Sequence, residues 1–196
     1  MWEKIIFGYN AYHVILWFLT YSMLGWLIES IFMSICNKKL TNRGFAKGPF
    51  CPIYGVGALT VFFILRPYSD NVVILFFMGS ILATFIELIT AHIMKRMFGE
   101  IWWDYTEKPF NYKGVLCLES SIAWGIYTIA LFGFLQNYIM MFVDYIPIEI
   151  GRIVGSILLI VFTLDFLISL YTEKKDCIPD NVYEFKEMIL AKIGRF

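Results

Sequence analysis

Five apolar runs separated by short polar stretches organise this chain, at residues 12–35, 50–66, 72–94, 115–136 and 152–171. Four of them have the length, about 20 residues, that an α-helix needs to cross the hydrocarbon core of a bilayer. The run at 50–66 is shorter and opens on Gly48, Pro49 and Pro52. Proline cannot donate into a helical ladder, so this start is predicted to be broken or re-entrant, a geometry tolerated in a membrane only where protein or water covers the backbone. The pattern predicts an all-α integral membrane protein with five transmembrane helices over residues 1–172. In the remaining stretch, 173–196, Asn181 and Glu184 have capping-box spacing, and Val182, Phe185, Ile189 and Ile193 follow a helical period. That tail is expected to form an amphipathic helix on the inner leaflet, with docking onto a cytoplasmic partner as the alternative.

Composition agrees with the pattern. Of 196 residues, 59% are hydrophobic and 16% charged, and the mean hydropathy is +0.68, whereas a soluble domain carries about 25% charged residues. Net charge is zero, but the charges are unevenly placed. Lys38, Lys39, Arg43 and Lys47 follow the first run; Lys95, Arg96, Lys108 and Lys113 follow the third; Lys174, Lys175, Lys186, Lys192 and Arg195 follow the last. Only Lys4, Arg66 and Arg152 fall on the other side. Basic residues in short loops mark the cytoplasmic face, so the expectation is an outside N-terminus and a cytoplasmic C-terminus. No small-residue cleavage site follows the first run, which is therefore expected to remain as a span. The four cysteines map to cytoplasmic ends or the tail and are expected to be reduced.

Two segments repeat. Asn42 and Gly44, followed by Tyr54 and Gly55, match Asn111 and Gly114, followed by Trp124 and Gly125, and each preceding run carries a glutamate, Glu29 or Glu87. The two units read as parallel helical hairpins related by an axis along the membrane normal, the second with about twelve extra residues in its loop. Those extra residues coincide with IWWDYTEKPFNYKG, from Ile101.

The runs also contain acids. Glu29, Glu87 and Asp165 each lie seven or eight residues from the predicted cytoplasmic end, which places them in one layer roughly 10 to 12 Å deep; Glu119 is shallower. A charged carboxylate at the bilayer centre costs roughly 2.5 to 3.5 kcal/mol, so each must face the bundle interior. Two readings stay open: hydrogen-bonded acids that only fix packing, or a polar cavity open to the cytoplasm. Gly79, Ala83, Glu87 and Ala91 form a small-residue stripe, and Gly25 precedes Glu29 by one turn, which permits close helix contact or leaves room for a ligand. His92 lies five residues beyond Glu87. Trp103, Asp104, Tyr105 and Asn111, with Trp102 and Pro109, are the candidate floor of such a site. Arg43, beside the Gly48–Pro49 turn and the start of the second span, suits an anionic headgroup or substrate phosphate.

Several chemistries find no support. No G-x-x-x-x-G-K-[ST] loop is present, so an ATPase would have to be a partner. No C-x-x-C or H-x-x-x-H spacing joins His92, Cys36, Cys51 and Cys117 into a metal site, no nucleophile motif has a positioned base, and neither a cofactor nor a nucleic-acid partner is expected.

Three stretches, LGWLIES from Leu24, NRGFAKGPFCPIYGVGAL from Asn42 and WWDYTEKPFNYKGVLCLESSIAWG from Trp102, resemble the ABC-transporter type IV, or CmpB-like, family of bacterial membrane proteins. The resemblance implies a small permease-like protein of the bacterial cell membrane. Its expected cavity is acidic, faces the cytoplasm and is lined by Glu29, Glu87, Glu119 and Asp165. Five spans are few for a complete transporter, so a homodimer, a cytoplasmic ATPase or another membrane subunit is expected alongside the lipid bilayer. The alternatives are a membrane enzyme acting on a lipid or lipid-linked substrate, with Glu87 or Glu119 as general base, and a non-transporting scaffold or regulator.

Overall fold

The computed structural model describes residues 2–42 and 45–176; Arg43, Gly44 and the predicted tail helix beyond Asp176 lie outside them. Of the described residues, 74% are helical. A two-residue strand pair, β1 (Ile5–Ile6) with β2 (Tyr9–Asn10), leads into α1 (Ala11–Asn37). There follow α2 (Pro52–Leu65), α3 (Val72–Phe98), a second small hairpin of β3 (Asn111–Tyr112) with β4 (Leu116–Cys117), α4 (Leu118–Tyr145) and α5 (Ile148–Asp176).

Local chemistry sets these boundaries. α1 stops where Lys38 turns left-handed (φ 51°) and its N–H bonds the Ile35 carbonyl. α3 starts where the Asn71 side chain accepts the Ile74 N–H at 3.0 Å and ends at Gly99 (φ 79°), the residue type that enters left-handed backbone without a steric penalty. In α4 a π-helical turn occupies Leu131–Leu135, so the helix runs on to Tyr145, well past the expected end near residue 136.

Among the described residues, four helices, α1, α3, α4 and α5, are long and apolar enough to cross a membrane. Their outer faces are apolar and open: Ile81 is 64% and Phe85 56% exposed on α3, Ile160 58% on α5. In water such contiguous apolar surface would be an aggregation liability; against lipid it is the ordinary outer face of a span. The expected fifth span behaves differently. α2 has 14 residues, roughly 21 Å of helix against a hydrocarbon core of about 30 Å, and helix begins only at Pro52. The chain before it, residues 45–51, is non-helical yet contains buried Ala46, Phe50 and Cys51. The Cys51 N–H bonds the carbonyl of Ser22 at 2.9 Å, fifteen residues and so roughly 22 Å along α1 from its end. The segment after α1 therefore turns back deep alongside that helix before α2 starts, as the Gly and Pro residues predict.

The two hairpins, α1 with α2 and α3 with α4, pack by the same device at matching positions. A methyl group on Gly55 would overlap Ser22 and Phe18; one on Gly125 would overlap Ser80 and Phe76. Ser22 and Phe18 precede Glu29 by seven and eleven residues, and Ser80 and Phe76 precede Glu87 by the same intervals. Both interhelical loops lie at one end of the bundle, where the Phe45 ring packs against Phe98 and Trp102 at 5.6 and 5.1 Å. α5 runs parallel to α1: Gly151 faces Tyr12, Gly155 faces Leu16, and Phe162 packs on Phe18 at 5.3 Å.

Candidate functional site

A cavity of about 260 Å³ lies at the seam between the two hairpins, lined among others by Gly25 of α1, Tyr54 of α2, Ala83 and Glu87 of α3, and Trp124 and Tyr127 of α4. The repeat explains its walls. In the first hairpin the Tyr54 hydroxyl donates to Glu29 Oε1 at 3.0 Å; in the second, Trp124 Nε1–H donates to Glu87 Oε2 at 3.2 Å. Tyr54 and Trp124 hold equivalent places in the repeat, each just before the contact glycine. Their rings meet edge to face, 6.0 Å apart at 60°, so the two hairpins touch through these equivalent positions. Gly25 and Ala83, also equivalent, line the cavity as well, and the Tyr54 ring packs directly on the bare backbone of Gly25.

The halves are unequal where the second loop is longer. The Tyr105 hydroxyl reaches back from that loop to Glu87 Oε1 at 3.0 Å, so Glu87 has donors on both oxygens and is only 4% exposed, whereas Glu29 is half-buried. Burial, with the Glu87 carboxylate beside it, pushes the Tyr105 hydroxyl well above the ordinary tyrosine range, and it remains a donor at neutral pH. The rest of the loop is built to hold it. Trp103 Nε1–H donates to the Val115 carbonyl at 2.9 Å. The Asn111 amide donates to the Thr106 and Lys108 carbonyls at 3.1 and 2.8 Å, and its oxygen accepts the Gly114 N–H at 3.0 Å. Asp104 closes a turn by accepting from the Thr106 backbone N–H at 2.8 Å and from the Thr106 hydroxyl; those bonds hold its carboxyl below the usual range. Trp103, Asp104 and Asn111, expected at a floor, thus shape the loop, and Tyr105 is its contact with the acid.

The remaining expected site residues are dispersed. Asp165 does not line the cavity: both its oxygens accept the Gly48 N–H, at 3.0 Å each, while Ser169 Oγ accepts the neighbouring Lys47 N–H at 3.2 Å. Backbone without a helical partner must be satisfied in a bilayer, and this acid satisfies the re-entrant segment. Glu119, expected as a cavity acid, is exposed on the first turn of α4 and pairs with Lys108 at 2.8 Å, which raises the Lys108 ammonium above its ordinary value. Glu29 is spent on Tyr54 and is not among the lining residues. His92 is exposed, since five residues beyond Glu87 is roughly 140° around the helix. Arg43 lies outside the described residues. The cavity is consequently apolar and aromatic with one carboxylate, where four acids were expected. Tyr54, Trp124 and Tyr127 were not anticipated as lining residues, although the aromatic–glycine pair of the repeat marks the first two.

Helices with lipid-compatible faces, packed as paired hairpins around a seam cavity, make this a multi-pass helical membrane protein. The chain belongs to the family described as "Putative ABC-transporter type IV", which it matches over residues 16–170. Neither a curated protein nor a solved structure matches it. Family membership and the apolar helices together fit a membrane transport role.

Proposed function

We propose that this protein is a permease-like transport subunit whose substrate occupies the seam cavity, with Glu87 as its polar anchor and Tyr105 as the contact between that anchor and the longer loop. The observation that carries the reading is Glu87 itself: a carboxylate buried at a cavity wall and held by the neutral donors Tyr105, Trp124 and Ser120. If packing were its sole task, a neutral residue would do it without the cost of an acid in apolar surroundings. The cavity sits between internal repeats, the place where transporters built from repeats put their substrates. In this reading the basic loops make the Tyr105 end cytoplasmic, the bacterial cell membrane is the location, and a second copy or a partner ATPase completes the machine, because the chain carries no phosphate-binding loop of its own.

The test is flux. Proteoliposomes would be exposed to a panel of organic cations, anions and neutral amphiphiles, with and without co-purified ATPases, and their contents read by mass spectrometry. Ala83→Phe, which places a ring into the cavity, serves as the blocked form. The expected outcome is a solute that moves with the unaltered protein and stops with A83F. Flux indifferent to A83F, or no flux of any solute, overturns the reading.

A further inference from the structure

The cavity walls say more about the ligand than that it fits. Tyr54, Trp124 and Tyr127, together with Tyr21, give an aromatic lining to a space that Glu87 also lines, and among the described residues no Lys, Arg or His lines it. Trp124 and Tyr127 stand 5.8 Å apart by ring centroids, and Trp124 and Tyr54 6.0 Å, so the rings form adjoining walls. Aromatic faces carry negative electrostatic potential and attract cations, most strongly where water is excluded. An ionised carboxylate in such a place is costly until a positive charge joins it, because neutral donors return only part of its lost hydration. Both features favour the same sign of ligand, and the apolar remainder of the wall favours hydrocarbon substituents around that charge. Size narrows the choice, since about 260 Å³ is slightly below the usual range of roughly 300 to 1,000 Å³ for ligand pockets. That volume suits a compact molecule.

We propose that the seam cavity selects a small lipophilic monocation, a tertiary or quaternary ammonium, held between the Glu87 carboxylate and the faces of Tyr54, Trp124 and Tyr127. This specifies the substrate class and rests on the reading of the cavity as the substrate site. The carboxylate supplies the charge, the rings replace the cation's weak hydration, and no hydrogen bond from the ligand is required. An anion or a neutral body of equal shape would leave the Glu87 charge uncompensated.

The experiment measures binding to the full chain in lipid nanodiscs by equilibrium dialysis, with protein-free nanodiscs as baseline. Three probes of like shape are compared: benzyltrimethylammonium, its neutral carbon counterpart neopentylbenzene, and the anion phenylmethanesulfonate. The cation is expected to bind at least about tenfold more tightly than the other two. Glu87→Gln is expected to weaken it by about tenfold to a hundredfold. Tyr127→Leu, which touches none of the hydrogen bonds to Glu87, is expected to weaken the cation by about threefold to thirtyfold and to leave neopentylbenzene unchanged. Glu119→Gln, outside the cavity, should change nothing. Equal binding of cation and neutral counterpart, or undiminished cation binding in E87Q, overturns the cation assignment while leaving the cavity a ligand site. If E87Q does not fold, undiminished cation binding in Y127L overturns it instead. Absence of specific binding by all three probes overturns the seam-cavity reading on which the assignment rests.

Discussion

Replacing Asp165 by alanine should release the re-entrant segment without touching the cavity. Both carboxylate oxygens accept one backbone N–H, that of Gly48, and no other described hydrogen bond holds that donor. Removing the acceptor leaves a polar donor in a covered part of the bundle, at a cost of about 1 to 3 kcal/mol. Asp165 is half-buried, so partial access of water places the cost toward the middle of that range, and about 2 kcal/mol corresponds to roughly thirtyfold in the population of the opened segment. Cys51 reports on it. Its side chain is 6% exposed, and its N–H is bonded to Ser22, deep on α1. In a background with Cys36, Cys117 and Cys177 changed to serine, maleimide labelling of Cys51 should accelerate by about tenfold to a hundredfold in D165A. Asp165→Asn, which keeps one acceptor oxygen, should produce a smaller effect. Unchanged labelling in D165A would show that the segment is held by something other than this acid, and the structural role given to Asp165 would fall.

Tyr105→Phe removes one of the donors to Glu87 and should lower stability by about 1 to 3 kcal/mol, seen as a reduced midpoint of thermal unfolding in detergent; an unaltered midpoint would mean that the loop is not anchored through this bond. The Tyr105 hydroxyl also makes an alkaline prediction. Its ionisation is displaced upward in the fold, so the stability it contributes is complete below the ordinary tyrosine value of about 10 and is lost only as pH rises through the higher folded value. The tyrosinate difference spectrum, wild type minus Y105F, should stay flat through pH 10, and a step at that pH would refute the loop contact. Gly55→Ala and Gly125→Ala should each separate a hairpin, at a similar cost of about 1 to 3 kcal/mol, measurable by steric trapping. A large effect at one glycine and none at the other would contradict the equivalence of the two repeats.

The sequence by itself determined depth. Apolar run lengths located α1, α3 and α5 closely and the start of α4, and Gly48, Pro49 and Pro52 announced a non-helical approach to α2 because proline cannot donate into a ladder. The spacing of Glu29, Tyr54 and Gly55 against Glu87, Trp124 and Gly125 placed two acids and two rings at corresponding points of two hairpins. The continuation of α4 through its π turn to Tyr145 was not legible, since the polar pair Gln136 and Asn137 reads as the end of an apolar run.

Tertiary structure alone decided direction around each helix. In water, the buried face of a helix is marked by its apolar residues; in a bilayer, lipid-facing and core-facing positions are both apolar, and hydropathy no longer distinguishes them. Glu29, Glu87 and Asp165 were therefore indistinguishable along the chain, yet one accepts from Tyr54, one closes the seam cavity and one holds a backbone amide 117 residues away. The longer second loop was visible as an insertion, but only the fold brings Tyr105 from it to Glu87, because that bond joins a loop residue to one 18 residues back on α3.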